Sequence, residues 1–178
     1  MRVISGTARG CKLIAPSGQS TRPTGDRMKE DLFNILSPVI SGSRFLDCYC
    51  GSGAIGIEAL SRGASSAVFV DHAEEAIAAV KTNLRKTRLE NKAEIFHGTV
   101  AETLKKLKKF DIIFIDPPYE SGELAWILET ASGLLTENGI LAAECPLDIA
   151  LPKLADLSVY RQKKYAKMQF IFYRRQYI

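Results

Sequence analysis

The residues best suited to chemistry follow an apolar run, in the segment FDIIFIDPPYESGE at positions 110–123. Proline removes a backbone donor and fixes φ, and the residue before a proline avoids the α region. The strand must therefore end at Asp116, and the next helix can begin only after Tyr119. Asp116, Pro117, Pro118 and Tyr119 then form a stiff, extended shelf with one carboxylate acceptor and one aromatic face. The alternative interpretation is an ordinary loop that contains two prolines.

A glycine turn lies in the segment FLDCYCGSGAIGIEAL at positions 45–60. Gly51, Gly53 and Gly56 fit the pattern G-x-G-x-x-G between a strand and a helix, which suits a nucleotide-like ligand at the helix N-terminus. The pattern alone is weak, because nicotinamide and flavin enzymes use it too. Asp47 is the discriminating residue. A carboxylate at the mouth of the turn disfavours an anionic pyrophosphate and favours a cationic amino-acid headgroup.

Two further segments complete a predicted cofactor site. Asp71 closes the second predicted strand, where a carboxylate can accept both hydroxyls of a ribose, although it could instead cap the following helix. The backbone at 98–100 could meet the edge of an adenine. A ligand with an ammonium-bearing tail, a ribose and an adenine is S-adenosylmethionine. The predicted cofactor-binding residues are Asp47, Gly51, Ser52, Gly53, Asp71, His72, Gly98, Thr99 and Val100.

Along the chain, short runs of β-branched or aromatic residues alternate with amphipathic stretches such as 73–86. These are the elements that must position the segments described above. The alternation predicts an α/β fold with a parallel sheet and helices on both sides. The last two runs are joined too tightly for a crossover helix, so one of them should run antiparallel to the rest. Strands are predicted at 44–50, 66–71, 93–98, 110–116, 139–145, 157–166 and 168–176.

The front of the chain has a different pattern. Two short runs flanking a turn predict a small basic β-hairpin, and a helix is predicted from about Asp26 to Leu36. There is no linker, repeat or low-complexity segment. We therefore expect one domain over residues 1–178, with the hairpin and its loop at 1–23 as an appendage to a core at 24–178.

Composition is ordinary for a soluble protein, with 46% hydrophobic and 25% charged residues. No run approaches a membrane span and the N-terminus lacks the apolar core of a signal peptide, so we expect a cytoplasmic protein without membrane contact. The two histidines and four cysteines lack metal-site spacing, so we expect no metal and reduced, buried thiols. The cysteines are Cys11, Cys48, Cys50 and Cys145.

Charge is distributed unevenly along the chain. The net charge is +4, but residues 1–29 carry +5, residues 153–178 carry +6 and the middle carries −7. This charge distribution predicts that the two ends of the chain bind a polyanion. Charged residues that only face solvent would give the same distribution.

The order of these motifs resembles a known family. An Asp-x-x-x-Gly-x-Gly turn, an acid after the second strand and Asp-Pro-Pro-Tyr after the fourth resemble class I methyltransferases that act on exocyclic amines of bases. More narrowly, GTARGCKL, RPTGDRMKEDLFNIL, FLDCYCGSGAIGIEALSRGA and DPPY resemble the bacterial 16S ribosomal RNA guanine-N2 methyltransferase family over most of residues 1–145. Gly25 is a departure, because that loop in the family often carries Thr.

The resemblance implies a Rossmann-like class I methyltransferase fold, S-adenosylmethionine as cofactor without a metal, and a guanine of 16S ribosomal RNA as substrate, within the small subunit or an assembly intermediate. At the shelf, Asp116 and the carbonyl of Pro117 would accept the amine hydrogens, and Tyr119 would stack on an extruded base. We expect a monomer. The predicted RNA-contacting residues are Arg9, Lys12, Arg22, Thr24 and Arg27.

Other functions remain open at this point. Adenine N6 and guanine N2 present similar amines, so a DNA or RNA adenine-N6 methyltransferase is the runner-up, disfavoured by the lack of a target-recognition insertion. A nicotinamide oxidoreductase and a nucleic-acid-binding module with a vestigial core are less favoured. Carbon methylation through Cys145 is also disfavoured, since the shelf supplies acceptors that a carbon target would not need.

Overall fold

The structure is a computed structural model that describes residues 1–17, 25–118 and 123–175. Its strands are β1 Arg44–Cys48, β2 Ser66–Asp71, β3 Ala93–His97, β4 Phe110–Ile115, β5 Leu135–Pro146, β6 Leu157–Lys164 and β7 Met168–Arg175. They form one sheet in the order β3-β2-β1-β4-β5-β7-β6. β7 is antiparallel to both of its neighbours. The predicted seven strands with one antiparallel strand are confirmed.

Helices cover both faces of the sheet. They are α1 Asp26–Ile40, α2 Ala54–Ser61, α3 Glu74–Thr87, α4 Val100–Leu104 and α5 Leu124–Ser132, with a 3-10 turn at Glu90–Lys92. Because side chains alternate along a strand, Ile112 and Phe114 of β4 pack into a first layer with α1, α2 and α3, whereas Ile113 and Ile115 pack into a second with α4 and α5. Within the described parts of the chain, no helix has the length and apolarity needed to cross a membrane.

The order of the strands in the sheet indicates where a ligand would bind. β1 pairs in parallel with both β2 and β4, so the chain reverses its direction of winding between β1 and β4. In open α/β sheets, the crevice at the carboxyl ends of the strands at such a switch point is where ligands bind. The glycine turn after β1 and the shelf after β4 leave the sheet side by side at this point.

Strand β5 differs from its predicted bounds because it begins at Leu135 rather than at 139. A bulge in β5, opposite the stretch between Phe110 and Ile112 of β4, shifts the register, so that Leu135 pairs with Phe110 and Ile140 pairs with Ile112. The residues around Glu137 are exposed at this bulge. Their composition is typical of a turn, so the first part of β5 could not be predicted from the sequence. β1, β3, β4 and β6 each end one or two residues earlier than predicted, and β5 ends one residue later.

Helix α1 is longer than predicted, because it continues to Ile40 with Pro38 inside it. Proline removes one helical hydrogen bond and usually ends a helix nearby. Here burial of Ile40 holds the final turn against the core, and the backbone N–H and hydroxyl of Ser43 both donate to the Ile40 carbonyl.

The predicted N-terminal hairpin is present only in a reduced form. Its one ladder contact among the described residues is an antiparallel bridge between Arg2 and Lys12, with the Val3 N–H donating to the Cys11 carbonyl at 3.0 Å. Val3 and Leu13 are buried in the first layer. The described part of this segment therefore packs against the core.

Candidate active site

The glycine turn has the geometry that its sequence predicts. Gly53 caps α2 with φ of 74°, in the left-handed region that glycine adopts without strain. Gly56 lies so close to β2 that a Cβ atom would be 2.4 Å from the ring of Phe69. The turn therefore holds the N-terminus of α2 tightly against β1 and β2.

Asp47 lies beneath this turn and is only 1% exposed. Its Oδ2 accepts a hydrogen bond from the Gly56 N–H at 2.8 Å. Burial raises the pKa of Asp47 to about 8, the Gly56 hydrogen bond opposes the shift, and the charge of Asp71 adds to it. A nearby cation would stabilise the ionised form.

Asp71 connects the glycine turn to the next two loops. Its Oδ2 accepts from the Gly51 N–H at 2.9 Å and its Oδ1 from the Ala73 N–H at 3.0 Å, while its backbone carbonyl accepts from the Gly98 N–H at 2.9 Å. The N-cap residue of α3 is Ala73, and the helix has no side-chain cap hydrogen bond, so Asp71 does not cap it. Each carboxylate oxygen has a further lone pair for a ligand hydroxyl.

The remaining predicted cofactor residues lie at the same edge of the sheet. His72 is exposed, and its carbonyl lies 3.0 Å from Nε2 of His97. Thr99 caps α4, with its hydroxyl oxygen accepting from the Glu102 N–H at 3.3 Å, and Val100 is the buried first residue of that helix. Among residues 1–17, 25–118 and 123–175, no cluster of His, Cys, Asp or Glu could hold a metal ion.

The shelf follows β4 directly. Asp116 is partly exposed, Pro117 is buried and Pro118 is exposed, whereas Tyr119 lies outside the described residues. Burial raises the pKa of Asp116 well above its usual range, and the charges of Glu144 and Asp47 add to this effect. Asp116 therefore has a higher affinity for a proton than an ordinary carboxylate.

A largely apolar cavity of about 180 Å³ lies beside the shelf, lined by Pro117, Pro118, Leu124, Glu144 and Cys145 among others. Cys145 is 1% exposed, and burial raises the pKa of its thiol to about 11. A thiolate is thus disfavoured, which argues against the carbon-methylation alternative.

Cys48 and Cys50 are also buried, as predicted, but Cys11 is partly exposed, because it lies in the N-terminal segment at the edge of the core.

Asn83 of α3 is a site-supporting residue that the sequence reasoning missed. Its Nδ2 donates to the carbonyls of Ser52 and Ile14, both at 2.9 Å, and its Oδ1 accepts from the Ile14 N–H at 2.8 Å. This buried amide thus ties the N-terminal segment to the glycine turn. The available signal was an amide between Val80 and Leu84 on an apolar helix face.

The predicted RNA-contacting residues lie in different places. Arg9 and Lys12 are exposed on the N-terminal segment, which hydrogen-bonds to Ser61 and Asn83. Arg27 is exposed on α1. Arg22 and Thr24 fall outside the described residues.

The chain is similar to known proteins over nearly its whole length. A family model described as conserved hypothetical protein 95 matches residues 1–174. YlbH of Bacillus subtilis, which is named as an rRNA methyltransferase, is 38% identical over 98% of this chain and 99% of its own. The ribosomal RNA small subunit methyltransferase D of Escherichia coli is 34% identical over 99% of this chain and 90% of its own. The solved structure of yhhF from Escherichia coli is 33% identical, with a TM-score of 0.89 over 99% of this chain and 98% of its own.

Proposed function

The chain belongs to the conserved hypothetical protein 95 family, and from this premise we propose that it methylates the exocyclic N2 amine of a guanine in small-subunit ribosomal RNA. The family includes relatives named for methylation of that RNA, and their fold is the Rossmann-like methyltransferase fold found here. The observation that carries the proposal is Asp116, which lies at the carboxyl end of β4 and whose electrostatic neighbours include Asp47 beneath the glycine turn.

The residues at the edge of β1, β2 and β3 fit S-adenosylmethionine. Asp47 is a buried carboxylate whose raised pKa a cationic headgroup would lower. Asp71 has acceptor capacity for a ribose diol, and the backbone at 98–100 continues the same edge towards an adenine. When bound, the cofactor supplies an electrophilic methyl group on a sulfonium.

The shelf orients the amine and receives its proton. The lone pair of an sp² amine is delocalised into the ring, so the nitrogen must be held in line to act as a nucleophile. Asp116 accepts one N–H and the Pro117 carbonyl accepts the other, and both stabilise the positive charge that develops on nitrogen. Since its pKa is raised, Asp116 is suited to take the proton that the amine loses. Tyr119 supplies the stacking face.

The basic ends of the chain supply the RNA contacts in this proposal. Arg9, Lys12, Arg22, Thr24 and Arg27 contact the RNA. The protein acts as a cytoplasmic monomer on the small subunit or an assembly intermediate, with no metal. RNA affinity then depends on salt, because each neutralised phosphate releases counterions.

Mass mapping of the methyl group tests the proposal. Small subunits from cells that lack this gene are incubated with the purified protein and S-adenosylmethionine, and their 16S RNA is digested for nucleoside mass spectrometry. We expect one new N2-methylguanosine per subunit. N6-methyladenosine, or methylation of added duplex DNA in place of the subunit, would instead identify the adenine-N6 alternative. Absence of any new methyl group on RNA would refute the proposal.

A further inference from the structure

Two carboxylates lie side by side at the ends of β4 and β5. These strands pair in parallel as Phe114 with Ala142 and Ile115 with Ala143, and the next residues along are Asp116 and Glu144. Phe114 and Ala142 both belong to the first layer, so alternation returns Asp116 and Glu144 to that face. Neighbouring strands are about 4.8 Å apart, which places the two side chains within reach of one small planar group.

Three observations connect Glu144 with the shelf. Glu144 is one of the residues that line the cavity beside Pro117 and Pro118. It is more than nine-tenths buried, with 8% of its surface exposed. Its charge acts on Asp116. The methyl-transfer step uses Asp116 and leaves Glu144 without a chemical task.

The hydrogen-bonding edges of the purines suggest that task. Guanine presents its N1–H donor beside the N2 amine, so two adjacent acceptors match it. Adenine presents an N1 acceptor beside its N6 amine, so a second carboxylate would meet a lone pair. A site built to hydrogen-bond a substrate group rejects an analogue that lacks the group, because buried polar atoms are then left unpaired.

We propose that Glu144 is a specificity-determining residue, which accepts the N1–H of the target guanine while Asp116 accepts its N2 amine. This inference rests on the proposed function and adds to it the physical basis for choosing guanine over adenine. Glu144 acts on base recognition and not on cofactor binding, which depends on the loops after β1, β2 and β3.

The test compares guanine with 2-aminopurine, which keeps the amine of guanine but has an acceptor at N1. Small subunits are reconstituted around 16S RNA that carries either base at the mapped methylation position. The enzymes are the wild type, Glu144→Gln and the control Glu137→Gln, which changes an exposed glutamate of the same strand. Methyl transfer is measured as kcat/KM, and cofactor affinity is measured by calorimetry.

We expect the wild type and Glu137→Gln to prefer guanine by about 100-fold or more, and Glu144→Gln to reduce that preference to below about 10-fold with cofactor affinity unchanged. A carboxamide can donate to N1 of 2-aminopurine, so activity on that base should rise relative to guanine. A purely structural role would lower both activities together and leave their ratio unchanged, which would overturn the inference.

The wild type alone keeps the inference testable if Glu144→Gln does not fold. Equal turnover of guanine and 2-aminopurine by the wild type would show that N1–H is not recognised, and Glu144 would lose the proposed role. If the wild type methylates no guanine at all, the proposed function itself fails, and this outcome is distinct from an unchanged base preference.

Discussion

Lys29 of α1 and Glu58 of α2 form a buried ion pair, with 3.2 Å between Nζ and Oε2. Lys29 is 1% exposed and Glu58 is fully buried. Burial lowers the pKa of Lys29, and the charge of Glu58 opposes the shift. Glu58 also accepts hydrogen bonds from the N–H groups of Ile4 and Ser5 and from Nε of Arg62. One carboxylate therefore joins the N-terminal segment, α1 and α2.

Glu58→Ala should lower the free energy of unfolding by about 3 to 5 kcal/mol, because it leaves the Lys29 ammonium buried without its counter-charge. The matched control is Arg2→Ala, which breaks the exposed pair between Arg2 and Asp26 and should change stability by less than about 1 kcal/mol. Urea unfolding followed by circular dichroism measures both. Equal effects of the two variants would show that the buried network contributes no more than a surface pair.

Asp71→Ala should weaken S-adenosylmethionine binding by about 1 to 3 kcal/mol, since it removes acceptors for the ribose and for the Gly51 N–H. Calorimetry measures the affinity, and Glu74→Ala, at the exposed start of α3, serves as the control. Unchanged affinity in Asp71→Ala would remove the end of β2 from the cofactor site.

Asp47 should make the cofactor-free protein less stable as pH rises. Its pKa is raised from 3.8 to about 8 in the fold, so between these values the folded state holds a proton that the unfolded chain has released. Stability therefore falls with rising pH across that window, by at most about 1.4 kcal/mol per pH unit for one group. Asp47→Asn lacks this titration.

Unfolding free energies measured by urea titration at pH 5, 6, 7 and 8 should therefore decline more steeply for the wild type than for Asp47→Asn. The cumulative difference should be about 3 to 4 kcal/mol. Parallel curves would mean that Asp47 is already ionised in the folded protein.

Arg9→Ala combined with Lys12→Ala should flatten the dependence of log affinity for small-subunit RNA on log salt by roughly two phosphate contacts. The control combines Lys105→Ala with Lys106→Ala, two exposed lysines from the acidic middle of the chain, and should leave the slope unchanged. Filter binding between low and moderate salt gives both slopes. A wild-type slope in the Arg9 and Lys12 variant would show that these two residues do not contact the phosphates of the RNA.

Asp116→Ala should reduce methyl transfer by several orders of magnitude, because orientation and charge stabilisation are lost together. Asp148→Ala, at an exposed acid shortly after β5, should retain activity. Tritiated S-adenosylmethionine with undermethylated subunits gives the rates. Near-normal turnover by a folded Asp116→Ala enzyme would reduce the shelf to an ordinary loop.

Tyr119→Phe should keep much of the activity by preserving a stacking face, whereas Tyr119→Ala should lose most of it, since base stacking contributes about 1 to 3 kcal/mol. The same tritium assay measures both variants, with circular dichroism as the folding check. Similar losses in the two variants would assign the role of Tyr119 to its hydroxyl instead.

The strands and the glycine turn could be predicted because their signals are local. Apolar runs of the right length gave all seven strands, and the conformation of Gly53 follows from the turn it must make. Asp47 could be placed at the mouth of the turn, but its burial could not, because the hydrogen bond from Gly56 depends on how closely α2 approaches β1.

Contacts between residues that lie far apart in the chain could not be predicted from the sequence. Nothing local shows that Glu58, in the middle of α2, accepts from Ile4 and Ser5, which lie 54 and 53 positions away. Glu144 could not be paired with Asp116 either, because the register of β4 and β5 includes a bulge. Such partners become visible only when the sheet order brings separate segments together.

The position of β7 has a consequence for how the protein is made. β7 is synthesised after every other strand, yet it inserts between β5 and β6 and contributes Phe170 and Phe172 to the first layer. While the ribosome is still translating it, β5 has an unpaired edge and β6 has no neighbour in the sheet. The nascent chain therefore exposes a strand edge that can pair with other chains until β7 has left the exit tunnel.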